Sequence, residues 1–244
     1  MRKTSSIKSV VDALDADRRY RQGEMLRWML SEALHAMGLP HWEKIPDQAK
    51  DQVSEALHAY ERAVACEEPF TDLLGTIYMD LVSRWGKSVL GQYFTPQCIA
   101  RMMAEMTYKD ERPAPGRLLT ACDPAVGSGV MMLSLLQSVL ERQGSDALLH
   151  WSVTGVDIDP VCVRMYALQV VANCATHRVQ VGEVVAYHGN ALGPESGLKV
   201  ILHATAPTVT NVVPAAHPQR IKAVEEVVKQ RQLEQLSLFE EMVV

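Results

Sequence analysis

No stretch of the 244-residue chain reaches the ~18 consecutive apolar residues of a membrane-spanning helix, so a helical membrane protein is excluded. The N-terminus, Met1-Arg2-Lys3-Thr4-Ser5-Ser6-Ile7-Lys8, is basic, but no apolar core follows it before Asp12, Asp15 and Asp17. A secretory leader is therefore not expected. Disulfide spacing is also missing. Five cysteines (Cys66, Cys98, Cys122, Cys162, Cys174) are an odd number without a C-x-x-C pair. That argues against a disulfide scaffold and a zinc ribbon, and for a reducing, cytoplasmic setting. The eight histidines are scattered without metal-ligand spacing, so no metal is expected. A formal charge of -5 argues against coating nucleic acid by bulk charge, and leaves a local basic face open. There is no internal repeat and no low-complexity tract. What is present is ordinary for a globular chain of one to two domains: 48% hydrophobic and 22% charged residues.

The first ninety or so residues read as helices. Leu26, Met29, Leu30, Ala33, Leu34 and Met37 recur at helical spacing, and Gly38 with Pro40 closes that run. Val53, Leu57, Tyr60 and Val64 form a second stripe. Pro69 opens a third, with Leu73, Leu74, Ile77, Tyr78, Leu81 and Trp85 on its inner face. Such stripes build a helical bundle. The texture changes after Gly91. Thr95-Pro96 reads as an N-cap and first-turn proline, with Ile99, Met102, Met103 and Met106 on one face behind it. Asp110 to Gly116 reads as a linker.

Alternation then takes over. Arg117 to Cys122 is a short apolar strand, 123–129 a turn, and Val130 to Leu140 a helix. Trp151 to Val156 is a strand ending at Asp157, Pro160 to Cys174 a helix, and Val181 to Tyr187 a strand ending at His188-Gly189-Asn190. This is the pattern of a parallel α/β sheet. Val200 to Leu202 and Val209 to Val213 read as short strands, and Pro218 opens a last helix. The expected divisions are a helical region over 1–90, a core over 91–216, and a C-terminal helix and tail over 217–244.

Three strand ends carry the chemistry. The turn Asp123-Pro124-Ala125-Val126-Gly127-Ser128-Gly129 lets backbone approach a ligand where side chains would collide. It is not G-x-G-x-x-G, and it lacks the Lys and Ser/Thr of a phosphate loop. Asp123 would repel a pyrophosphate and attract an ammonium, which favours a nucleoside bearing an amino acid over a dinucleotide. Asp157 is placed to accept hydrogen bonds from two ribose hydroxyls, Ile158 to pack on an adenine ring, and Asn190 to meet an adenine edge. Each alone is an ordinary turn residue; together they line one edge of the sheet.

Four ordered strings carry a resemblance: Gly91-Gln92-Tyr93-Phe94-Thr95-Pro96, the 123–129 turn, Gly155-Val156-Asp157-Ile158-Asp159-Pro160 and His188-Gly189-Asn190-Ala191-Leu192. Their order resembles adenine-N6 DNA methyltransferases, most nearly the modification subunit of type I restriction systems. Asp72-Leu73-Leu74-Gly75-Thr76-Ile77-Tyr78 is similar to the helical lead-in of that group. The resemblance covers roughly residues 70 to 192. It implies a Rossmann-like sheet binding S-adenosyl-L-methionine, in a bacterial, phage or plasmid setting. Phe94 and Thr95 would line the methionine end. Asp123 would meet the amino group beside Pro124, Ala125, Gly127, Ser128 and Gly129. Asp157 would hold the ribose, Ile158 the adenine ring, and Asn190 the adenine amino group.

The resemblance then stops. The family's Asn/Asp-Pro-Pro-Tyr/Phe signature, which holds the target amine and stacks on the flipped base, is not found. The nearest string is Asn211-Val212-Val213-Pro214, and no Phe, Tyr or Trp lies between Tyr187 and Phe239. Only 52 residues follow Leu192, too few for the remaining strands and helices of a full core at ~30 residues per βαβ unit. A core truncated or completed unusually is expected, with sequence readout left to a partner subunit. The catalytic residues stay unassigned. The Arg18, Arg19, Arg21 cluster, with Arg2, Lys3 and Lys8, could meet phosphate, but interleaved Asp15, Asp17 and Glu24 favour a solvated helix face. Gln235-Leu236-Ser237-Leu238-Phe239 resembles the peptide that docks bacterial DNA-processing proteins into the sliding clamp; the alternative is the end of an amphipathic helix. Two functions remain open. One is a DNA-modifying methylase that needs a partner. The other is an inactive methylase-like scaffold contacting DNA or a replication or restriction complex.

Overall fold

The computed structural model describes residues 2–84, 93–109, 112–113 and 117–207. Val209–Val213, Asn211–Pro214, the Pro218 helix and the Gln235–Phe239 peptide lie outside the described residues, as do Trp85, Gly91 and Gln92. No helix among those described is long and apolar enough to cross a membrane.

Four helices come first: α1 (Arg2–Asp15), α2 (Gln22–Ala36), α3 (Lys50–Cys66) and α4 (Leu73–Arg84). Most of the apolar stripe residues lie on their inner faces, and Met37, past the end of α2, is exposed. Met25, Leu26, Met29, Leu30, Ala33 and Leu34 are buried on α2, and Val53, Tyr60 and Val64 on α3. Gly38 ends α2 at φ 90, where its N–H bonds the His35 carbonyl and the Leu39 N–H reaches back to Leu34. This is a left-handed helix stop suited to glycine. Several acids of this stretch are paired with its basic residues. The Asp17 carboxylate accepts from the Arg19 guanidinium and backbone N–H, Lys8 pairs with Asp12, and the Glu24 carboxylate accepts the Arg21 backbone N–H. Exposed pairs of this kind add little to stability.

Next come α5 (Gln97–Thr107), β1 (Leu119–Asp123), α6 (Val130–Gln143), α7 (Ser145–Leu148), β2 (Trp151–Asp157), α8 (Pro160–His177), β3 (Glu183–His188) and β4 (Lys199–Thr205). The fold is therefore the expected one: α/β, with a Rossmann-like sheet preceded by a helical region. The described sheet has four strands in the order β1-β2-β3-β4. The first three are parallel, and β4 returns antiparallel to β3 with an irregularity at Ala186/Tyr187. The short apolar run at Val200–Leu202 lies in the first half of β4, which is longer than its apolar residues suggest because pairing with β3 runs from Lys199 to Thr205.

One local expectation is corrected. Pro96, not Thr95, caps α5, and no side chain completes the cap. The Ile99, Met102, Met103, Met106 face of α5 points outward, and the helix packs on α6 through Ala100 and Ala104. The outer face is the more apolar one, so periodicity alone points the wrong way. Asp157 is the last residue of β2, the strand end expected.

The long helix α8 sits at the centre. It packs on β2 and β3 and also receives α2, α3 and α4. Its buried residues run almost without a break from Cys162 to Val170, as befits a helix covered on both sides. One cluster of buried side chains therefore extends from Val10 of α1 to Leu202 of β4.

Candidate functional site

Parallel pairing puts the ends of β1, β2 and β3 on one edge of the sheet. Asp123 is level with Gly155, and Asp157 with His188. The β1–α6 turn crosses this edge with Gly127 at φ 55 and Gly129 at φ 97, both in the left-handed region that favours glycine. A side chain at Gly129 would also meet Tyr166, whose Cδ2 lies 2.7 Å from the Cβ position. Tyr166 is fully buried, and its hydroxyl donates to the Val153 carbonyl at 3.1 Å. It thus ties the turn to β2 and α8. Phe94 lies over the other glycine, 3.2 Å from a Cβ built on Gly127, with the Tyr78 ring 5.2 Å away centroid to centroid.

The two acidic strand ends differ in what they hold. Asp123 Oδ1 accepts the Ala125 N–H at 3.0 Å, and among the described residues Oδ2 takes no hydrogen bond. Burial pushes the Asp123 carboxyl up, the charge of Asp157 adds to this, and the Ala125 amide opposes it. A half-buried carboxylate with an open oxygen suits a cationic partner. Asp157 is buried, and both oxygens are engaged: Oδ2 accepts the Gly127 N–H at 2.8 Å and Oδ1 the Asp159 N–H at 2.9 Å. Its carboxylate fixes the glycine turn from below, and its remaining lone pairs are what it can offer a hydroxyl.

The outer rim is more open. Ile158 is 69% exposed, and its carbonyl lies 3.1 Å from His188 Nε2. Asn190 is exposed; its Oδ1 accepts the Leu192 N–H at 3.0 Å, a closed side-chain turn. Asp159 caps α8 by accepting the Val161 N–H at 2.8 Å, with Pro160 at the first helical position. The structure thus brings Phe94, Asp123, Gly127, Ser128, Gly129, Asp157, Ile158 and Asn190 to one edge. Thr95, Pro124 and Ala125 border it. Among the described residues no group of three or more His, Cys, Asp or Glu side chains is arranged to hold a metal ion.

Sequence reasoning missed Tyr78, Tyr166, Asp72 and Gln169. Ser128 is buried, and its hydroxyl donates to Asp72 Oδ2 at 2.8 Å. Burial pushes the Asp72 carboxyl up, against the pull of hydrogen bonds from Gln169, Gly75 and Ser128. Burial likewise raises the Tyr78 phenol to about 12, with the charges of Asp159 and Cys162 adding to it.

A sequence profile described as N-6 DNA Methylase matches residues 70–216, which takes in this whole edge and begins at Phe70, just before α4. The chain belongs to the N-6 DNA methylase family. It is 29% identical over 102 residues to the methylase subunit of the type I restriction enzyme HindI from Haemophilus influenzae. That match covers 41% of this chain and 21% of the relative, so the chain spans about a fifth of that protein. A protein assigned as a class I S-adenosylmethionine-dependent methyltransferase from Listeria monocytogenes superposes with TM-score 0.43 at 14% identity, over 78% of this chain and 55% of the other. The modification subunit of a type I restriction enzyme from Vibrio vulnificus does so with TM-score 0.34 at 21% identity, over 52% of this chain and 25% of that one.

Proposed function

We propose that this N-6 DNA methylase chain binds S-adenosyl-L-methionine along the β1–β3 edge and serves adenine-N6 methylation of DNA together with a second polypeptide. The observation that carries the reading is the left-handed glycine turn, with the open Asp123 oxygen and the Phe94 ring on either side of it. Bound there, the cofactor supplies a methyl group on a sulfonium. The chain's own residues do the holding. Asp123 Oδ2 receives the ammonium, and Gly127 and Gly129 leave room for it. The remaining lone pairs of Asp157 accept ribose hydroxyls, Ile158 covers the adenine ring, and Asn190 Nδ2 addresses its edge. Phe94 and Thr95 close the methionine end.

The partner is suggested by a relative: the HindI protein is named as the methylase subunit of a type I restriction enzyme. No Asn/Asp-Pro-Pro-Tyr/Phe string stands anywhere in the sequence to accept the target amine. A completing subunit would supply those acceptors and the contacts that read base edges. Calorimetric titration tests the first half. Saturable binding at micromolar level, about -8 kcal/mol, is expected for the native protein and not for Asp123→Ala. Methyl incorporation into unmethylated DNA, with and without host extract, tests the second. Cofactor binding without incorporation under either condition would favour a non-catalytic scaffold that still contacts DNA or a restriction complex.

A further inference from the structure

The lead-in to the core, Asp72 to Tyr78, holds a buried polar cluster that the cofactor site as drawn above does not use. Asp72 precedes α4 and lies almost wholly inside the protein. Its Oδ1 accepts the Gly75 N–H at 2.9 Å and Gln169 Nε2 at 2.8 Å, and its Oδ2 accepts the Ser128 hydroxyl. Gln169, from the middle of α8, uses its whole amide. Oε1 accepts the Leu73 and Leu74 N–H groups, each at 2.9 Å, and Nε2 also donates to the Ser128 carbonyl at 2.8 Å. One turn further along α8, Asn173 accepts the Phe70 N–H at 2.6 Å and donates to the Gln169 carbonyl at 2.8 Å. The cluster therefore grips both the hydroxyl and the carbonyl of Ser128, the residue between the two left-handed glycines.

We infer that Asp72 is a positioning residue for cofactor binding: through Ser128 and Gln169 it locks the Gly127–Gly129 turn to the first turn of α4. The inference rests on the reading that this turn cradles S-adenosyl-L-methionine. Asp157 holds the Gly127 amide from one side and Tyr166 packs on Gly129 from another. The Asp72 cluster supplies the third constraint, the one at the middle residue. The Ser128 side chain is buried and its hydroxyl is turned to Asp72, so its part is to keep one backbone conformation. With the lock gone the turn samples others, and apparent affinity falls by the fraction that stays competent. The lock also runs from the helical region into the site, so whatever displaces α4 changes cofactor affinity.

The test compares native protein with Asp72→Ala, Asp72→Asn and Ser128→Ala. S-adenosylmethionine affinity is measured by calorimetry below the unfolding range, and amide hydrogen exchange is followed across the chain. Asp72→Ala and Ser128→Ala should bind at least ~10-fold more weakly, with faster exchange at residues 127–129 and unchanged exchange in α2 and α3. Asp72→Asn, which keeps one acceptor oxygen and can donate to Ser128, should stay within ~3-fold of native. A merely structural role would lower the unfolding midpoint and leave affinity untouched. Native-like affinity in both Asp72→Ala and Ser128→Ala overturns the inference. Should Asp72→Ala fail to fold, Ser128→Ala alone decides. Should the native protein not bind the cofactor, the proposed function fails. The lock then stands on exchange alone: acceleration at 127–129 supports it and unchanged exchange overturns it.

Discussion

Gly75→Ala is expected to destabilise the protein, against the ordinary rule for helices. At a solvent-facing helix position, replacing glycine by alanine gains ~1 kcal/mol. Gly75 lies in the first turn of α4, and a Cβ there would stand 2.2 Å from Asp72 Oδ2 and 2.5 Å from Ser128 Oγ. Both neighbours are buried and cannot swing into solvent. Relief requires breaking the Ser128–Asp72 hydrogen bond, worth ~1.5–3 kcal/mol when one partner is charged. Packing strain adds ~1–3 kcal/mol. Set against the propensity gain, the net loss is about 1.5–5 kcal/mol. For a chain of this size that lowers Tm by roughly 3–20 °C. Far-UV circular dichroism melts and urea titrations at matched concentration measure it, and the urea slope should not change. A midpoint equal to or above native would refute the steric reasoning and with it the tightness of the Asp72–Ser128 contact.

Three further outcomes are expected. Burial raises the Asp123 carboxyl, so the folded protein holds its proton to higher pH than the unfolded chain does. This stability is complete below the ordinary carboxylate range and is lost as pH rises through the raised value. Asp123→Asn should therefore unfold at higher urea than native at pH 7, the gap should close near pH 3, and cofactor affinity of the native protein should fall as the carboxyl protonates. Equal urea midpoints at both pH values would contradict it. Glu183 is fully buried, with Ser152 donating to Oε2 and His203 Nε2 3.0 Å from Oε1. His203→Ala should cost ~1–3 kcal/mol in urea unfolding, and Glu183→Gln in the same background should recover part of it. Gly129→Ala combines φ 97 with a 2.7 Å contact to Tyr166. A loss of ~2–4 kcal/mol is expected, and calorimetry should detect no S-adenosylmethionine binding.

The legible parts of the molecule were those written in neighbouring residues. The glycine turn, the strand-end aspartates and the alternation of strand and helix are short strings, and the parallel sheet follows from them. What stayed hidden depends on distant partners. Asp72 and Gln169 are 97 residues apart in the chain, and each alone looks like a polar residue at the margin of an apolar stripe. A signal was present: Gln169 and Asn173, four residues apart, are polar positions in a helix that is otherwise apolar nearly all round, and such groups must find partners inside. The methionine face of α5 shows the opposite limit. Its period was readable, but which side meets the core was decided by Ala100 and Ala104, whose small size lets α6 come close.

Because strand order is chain order, each new strand of the sheet can pair with the one made just before it, from β1 outward. The start of α4 has no such convenience. The Leu73 amide waits for a side chain 96 residues later, and the Phe70 amide for one 103 residues later. At ~5–20 residues per second of synthesis, that interval is roughly 5–20 s. Through it the start of α4 is unseated, its amide groups waiting for side chains of α8. The start of α4 is therefore fastened late, and a lesion in α8 should show its earliest symptom as aggregation or proteolysis near residue 70.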